Sequence, residues 1–131
     1  MDKNQKLQIV REIKEFINQI NNEPAHESLI LVEGKRDREA LAYLGCSGNI
    51  MMYHNFKNTI DLVDKFRDNY KKLIILLDLD RSGELMTKKI CNILSHRYID
   101  QKYRMRVLRI TQGRVKNIEE LKAFYDSMLV D

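Results

Sequence analysis

The sequence predicts an α/β fold: a Rossmann-like, four-stranded parallel sheet flanked by helices, with an extra helix at the N-terminus. Three observations carry the prediction. Two short runs, Leu29-Ile30-Leu31-Val32 and Leu73-Ile74-Ile75-Leu76-Leu77, are continuously apolar, as strands buried on both faces are. Amphipathic stretches with helical spacing stand between and after them. Glycines, five in all, fall mostly at the changes of pattern. The alternation βαβαβαβα behind a leading helix is the pattern of a parallel sheet with crossover helices.

Each element follows in order. Leu7, Val10, Ile13, Phe16 or Ile17, and Ile20 recur every three or four residues, giving a helix over about 4–20. Asn21-Asn22-Glu23-Pro24 ends it, since Pro disfavours helix in the residue before it. The first strand is 29–32, followed by Gly34 and a helix at about 36–44 with Ala40, Leu41 and Leu44 inward. Ile50-Met51-Met52-Tyr53 makes a second strand, and Ile60, Leu62, Val63 and Phe66 mark a helix at about 58–69. The third strand is 73–77, and after Gly83 a helix runs to about 99. Met105-Arg106-Val107-Leu108-Arg109-Ile110 reads as a fourth strand, charged enough to lie at an edge. A closing helix spans about 117–129. Residues 1–131 are expected to form a single domain, in which 1–24 are the N-terminal helix and connection and 27–130 the α/β core.

Composition narrows the function. The chain has 131 residues, 44% hydrophobic and 32% charged, with one Pro, so it has material for a core and no disorder signature. Cys46 and Cys91 form no CxxC pair and read as thiols in a reducing compartment. No signal-peptide pattern and no membrane-spanning run is present, which predicts a cytoplasmic protein without a membrane partner. The net charge is +4, but it is uneven: residues 97–116 carry seven basic residues against one acid, and 117–131 an acidic excess of three. Such a local excess suits either a solvated face or a phosphate-binding one.

Open α/β sheets bind ligands beyond the carboxyl ends of their strands. The first strand runs into Glu33-Gly34-Lys35-Arg36-Asp37 and the third into Asp78-Leu79-Asp80-Arg81-Ser82-Gly83. With those strands adjacent, Glu33, Asp78 and Asp80 converge. Gathered carboxylates repel, and a hard divalent cation relieves them; oxygen ligands without thiols or imidazoles favour Mg²⁺, with Mn²⁺ as substitute. Asp78 and Asp80, two apart on extended backbone, would point the same way and hold it chiefly. Neither GxGxxG nor GxxxxGK[ST] occurs, and His26, His54 and His96 have no metal-ligand spacing, although His54 follows the second strand at the same edge. Singly, each acid or glycine at a strand end reads as an ordinary wet loop; it is their coincidence on two buried strands that points to a site.

The segments LILVEGKRDREAL (29–41) and ILLDLDRSGE (75–84) resemble the two signature motifs of the Toprim domain, in order and spacing. That catalytic domain is shared by type IA and type II topoisomerases, DnaG-type primases, the RecR and OLD-type proteins and the 5S-rRNA-maturing ribonuclease M5. The resemblance covers about 27–130, as in small stand-alone Toprim proteins. It implies Glu33 as general acid/base and Asp78 and Asp80 as Mg²⁺ ligands. Gly34 and Gly83 match the motif glycines, and Asp37 a frequent acidic position. No zinc module, strand-passage gate or primase fold accompanies the motifs.

Three functions follow. The first is Mg²⁺-dependent phosphodiester chemistry on RNA or DNA, nuclease-like processing of structured nucleic acid. Glu33 would move the proton and also serve as a metal ligand, while Lys35, Arg36 and Arg81 clamp the phosphate. Gly34, Arg38, Gly83, Arg109 and Arg114 would add phosphate or nucleic-acid contacts, the last two from the end of the 105–110 strand. The alternative is a metal-assisted nucleic-acid-binding module whose chemistry a protein partner supplies; a homodimer is also compatible. The third, a phosphotransfer domain of haloacid-dehalogenase or receiver type, fits poorly, because two βα units precede Asp78-x-Asp80 and Ser82 stands where the former has threonine.

Overall fold

The computed structural model describes residues 1–130. Helix α1 (Lys3–Asn21) starts at a reciprocal cap: Asp2 Oδ1 accepts from Gln5 N (2.8 Å) and Gln5 Oε1 from Asp2 N (2.9 Å). There follow β1 (Ser28–Val32), α2 (Lys35–Tyr43), β2 (Asn49–Met52), α3 (Thr59–Asn69), β3 (Lys72–Ile75), α4 (Arg81–Ile93), β4 (Ile99–Asp100), α5 (Lys102–Ile110) and α6 (Ile118–Met128). The strands form one parallel sheet in the order β2-β1-β3-β4. The two most apolar strands are therefore its centre, with Leu31 opposite Ile75 and the Leu76 N–H extending the pairing to Leu31 O at 2.8 Å.

The period of two sorts the core. Ile30 and Val32 of β1 with Ile74 and Leu76 face α1, α2, α5 and α6. Leu29 and Leu31 with Leu73, Ile75 and Leu77 face α3 and α4 through Leu62, Val63, Phe66 and Ile90. At the amino end of the sheet, Lys72 Nζ bridges Glu23 (2.6 Å) and Asp100 (3.0 Å), a clasp distant in the fold from the strand ends where the acids lie.

The fourth strand is not where the sequence places it. Residues 105–110 belong to α5, and the strand beside β3 is the two-residue Ile99–Asp100, which the sequence assigns to the end of a helix. The helix wins because Tyr103, Val107 and Ile110 recur at helical spacing and bury against α1, with Tyr103 meeting Phe16 edge-to-face at 5.9 Å. The turn after α5 holds Gln112 and Gly113 at φ 54° and 78° and is tied back by Thr111, whose Oγ1 bonds Val107 O (2.8 Å) and accepts from Val115 N (3.2 Å).

Candidate metal and phosphate site

Glu33 follows β1 directly and Asp78 stands three residues beyond β3, so adjacent parallel strands deliver both to the carboxyl edge of the sheet. They line a shallow open depression of about 280 Å³ with Gly34, Lys35, Arg36, Asp37, His54 and Glu119. Asp78 is pushed up to about 8, first by burial, then by the charges of Glu33 and Asp37, a hydrogen bond with Glu33, and the charge of Asp80. Protonated Asp78 can thus share its proton with Glu33. With both ionised, Glu33 Oε1 and Asp78 Oδ1 are buried with no donor. A pair of orphaned carboxylate oxygens is what a hard cation satisfies, so the donor set fits Mg²⁺ or Mn²⁺. Among the described residues, no three Asp, Glu, His or Cys side chains close around an ion, so the fit is to an ion that keeps waters or takes phosphate oxygens.

Asp80 has a second, structural role. Residues 78–80 are not strand, and Asp80 is the N-cap of α4, its Oδ1 accepting from Gly83 N at 2.8 Å. Its charge also raises Asp78, after those of Glu33 and Asp37.

Helices α2, α4 and α6 all begin at this edge, and their N-terminal partial charges offset the acids. Asp37 is built into that arrangement. It is buried, with Oδ2 accepting from Gly34 N (3.1 Å) and Oδ1 from Glu119 N (3.0 Å), so one carboxylate pins the starts of α2 and α6 together. Gly83 is fixed by space: a Cβ there would lie 1.8 Å from the Asp78 carbonyl oxygen. Its amide is already bonded to Asp80, and close packing by itself accounts for a glycine here. The Gly34 amide is likewise taken by Asp37, and a Cβ at Gly34 would come no nearer than 3.4 Å to His54.

Of the basic residues, Lys35 and Arg36 line the depression, Arg81 opens α4, and Arg38 lies exposed on α2. Lys35 has only an exposed 3.8 Å pair with Glu39. Arg109 does not reach this edge. Because 105–110 is helix, Arg109 lies with Glu12, Glu15 and Arg106 in a groove of about 500 Å³ between α1 and α5. That groove is larger than the acidic depression but contains no buried acid pair. Arg114 is exposed in the turn that runs to Lys116, whose carbonyl accepts from Leu79 N at 2.8 Å, inside the Asp78–Asp80 loop. Sequence reasoning gave Lys116 no role; its only signal was membership of the basic stretch. Arg104, which a strand over 105–110 would leave at its far end, is buried behind the acidic loop.

A family model described as the Toprim domain matches residues 28–110, from β1 through α5. The chain belongs to the Toprim family. A UPF0292 protein of Methanocaldococcus jannaschii is 32% identical over 107 residues, covering 80% of this chain and 84% of its own. Another from Thermococcus gammatolerans is 30% identical over 114 residues, covering 86% and 84%. Among solved structures, a protein from Aquifex aeolicus superposes with a TM-score of 0.66 at 31% identity, covering 81% of this chain and 94% of its own. The Toprim assignment carries a coarse function with it, metal-dependent and directed at nucleic acid. No helix among the described residues is long and apolar enough to cross a membrane.

Proposed function

We propose that this Toprim protein is a Mg²⁺-dependent enzyme of phosphodiester chemistry, cleaving structured RNA or DNA. The observation that carries the reading is the pair of half-buried carboxylates at the ends of β1 and β3, each with one buried oxygen that has no donor, rimmed by lysine and arginine. Glu33 and Asp78 would hold the ion, with Asp80 contributing charge from the cap of α4. The bound ion would polarise a phosphoryl oxygen and neutralise developing charge. Glu33 moves a proton to or from the attacking or leaving oxygen, from the mouth of an open depression that a polymer can enter. Lys35, Arg36 and Arg81, exposed around the acids, clamp the phosphate as it binds. Arg38, Arg114 and Lys116 extend the basic rim along the same edge and give contacts to the backbone rather than to bases.

The test is a panel of single-stranded, duplex and hairpin RNA and DNA, incubated with Mg²⁺, with Mn²⁺ and with chelator. Metal-dependent cleavage that disappears in Glu33→Gln while binding survives is the expected result. Binding without cleavage of any substrate in the parent would replace the enzyme by a metal-assisted binding module served by a partner.

A further inference from the structure

Arg104 is only 3% exposed, the one buried cationic side chain among the described residues. It projects from α5 toward the start of α4 and the end of β3. Nη1 donates to Thr87 Oγ1 (3.2 Å) and Gln101 Oε1 (3.3 Å). Nη2 donates to the Glu84 carboxylate and reaches the Asp78 carbonyl oxygen at 3.5 Å. The Thr87 hydroxyl in turn donates to Gly83 O at 2.8 Å. One guanidinium therefore gathers both ends of the Asp78–Gly83 turn, the same turn in which a side chain on Gly83 would strike the Asp78 carbonyl.

Packing alone does not account for an arginine here. Removing a guanidinium from water is costly, an apolar residue of similar volume would fill the space as well or better, and Nε is left without an acceptor. Its ion-pair partner Glu84 has a side chain 55% exposed, so charge pairing returns little. What the fork of donors provides is geometry: it fixes a main-chain carbonyl and a helix start relative to each other. That carbonyl belongs to Asp78, whose side chain lines the acidic depression with Glu33.

We propose that Arg104 is a positioning residue for the acidic pair: it pins the Asp78–Gly83 turn from behind so that Asp78 faces Glu33, and touches neither ion nor substrate. This rests on reading Glu33 and Asp78 as a metal site. The experiment compares the parent chain with Arg104→Lys, which keeps the charge but not the fork, and with Val107→Ala, a core truncation one turn along the same helix. Mn²⁺ affinity is measured by titration calorimetry, and amide exchange at Leu79 and Gly83 is measured without metal. Arg104→Lys should weaken Mn²⁺ binding by about tenfold or more, as loss of an outer supporting partner does, and speed exchange at Gly83. Val107→Ala should melt lower yet keep the parental affinity. Parental affinity and parental Gly83 protection in Arg104→Lys would overturn the proposal, as would an equal loss of affinity in Val107→Ala. A parent that binds no Mn²⁺ overturns the metal reading itself, and Gly83 exchange then decides whether Arg104 holds the turn. Should Arg104→Lys not fold, Thr87→Val cuts the link from the guanidinium to Gly83; severalfold weaker Mn²⁺ binding supports the role and unchanged binding refutes it.

Discussion

Asn in place of Asp78 should make the metal-free protein more stable, and only on the alkaline side. The Asp78 carboxyl goes from the ordinary 3.8 to about 8 in the folded chain, because burial and the neighbouring carboxylates oppose its charge. The folded state thus holds the proton more tightly than the unfolded one. Its contribution is complete below about pH 4, declines as pH rises toward 8, and is lost above that. At about 1.4 kcal/mol per pH unit, a sealed group would forfeit about 6 kcal/mol across this window. Asp78 opens into a shallow depression, and solvent screening brings the expected loss to about 2 kcal/mol. Asp78→Asn cannot ionise and escapes the decline. Urea unfolding followed by circular dichroism in chelator, from pH 4 to 9, should show parent and variant diverging steadily, the variant ahead by about 2 kcal/mol at pH 8.5. Added Mn²⁺ should then restore the parent and leave the variant unmoved. Parallel pH profiles would refute the reasoning, since they would mean that the carboxyl ionises beside Glu33 without cost.

Three other outcomes can be checked together. Gly83→Ala places a methyl within 1.8 Å of the Asp78 carbonyl oxygen and should cost about 2–3 kcal/mol in urea unfolding, with Mn²⁺ binding impaired even where the chain folds. Asp37→Ala removes the acceptor for Gly34 N and Glu119 N and should destabilise by about 2 kcal/mol at neutral pH, a loss that Asp37→Asn only partly reproduces. In salt titrations of nucleic-acid binding, Lys116→Ala and Arg114→Ala should each flatten the slope of log affinity against log salt by about 0.7–0.9, whereas Arg109→Ala, in the α1–α5 groove, should leave it unchanged.

The central strands were legible because Leu29–Val32 and Leu73–Leu77 are apolar on both faces, which few structures other than a buried parallel strand require. Their adjacency brought Glu33 and Asp78 together, and that much of the site could be read from two strand ends. The segment 105–110 misled because a short apolar run interrupted by Arg106 and Arg109 resembles a charged edge strand, while the signal for a helix lies in the spacing of Tyr103, Val107 and Ile110, which begins before the segment. As a strand, the segment would carry Arg109 toward the site; as a helix it turns Arg109 into the α1–α5 groove, brings Arg104 behind the acidic loop, and leads into the turn through which Lys116 meets Leu79. Asp80, three residues before Gly83 at the start of an amphipathic stretch, also carries the pattern of a helix cap, and caps α4. The roles of Asp37 and Arg104 depend on contacts 82 and 26 residues away along the chain, which no local pattern records.

The most direct measurement is Mn²⁺ titration calorimetry at pH 8 on the parent and on Asp78→Asn and Glu33→Gln, each verified as folded. Binding of Mn²⁺ by the parent, tightened by a short oligonucleotide and lost in both variants, is the predicted result. Undiminished binding in either variant would contradict the assignment of the acidic pair as the seat of the metal.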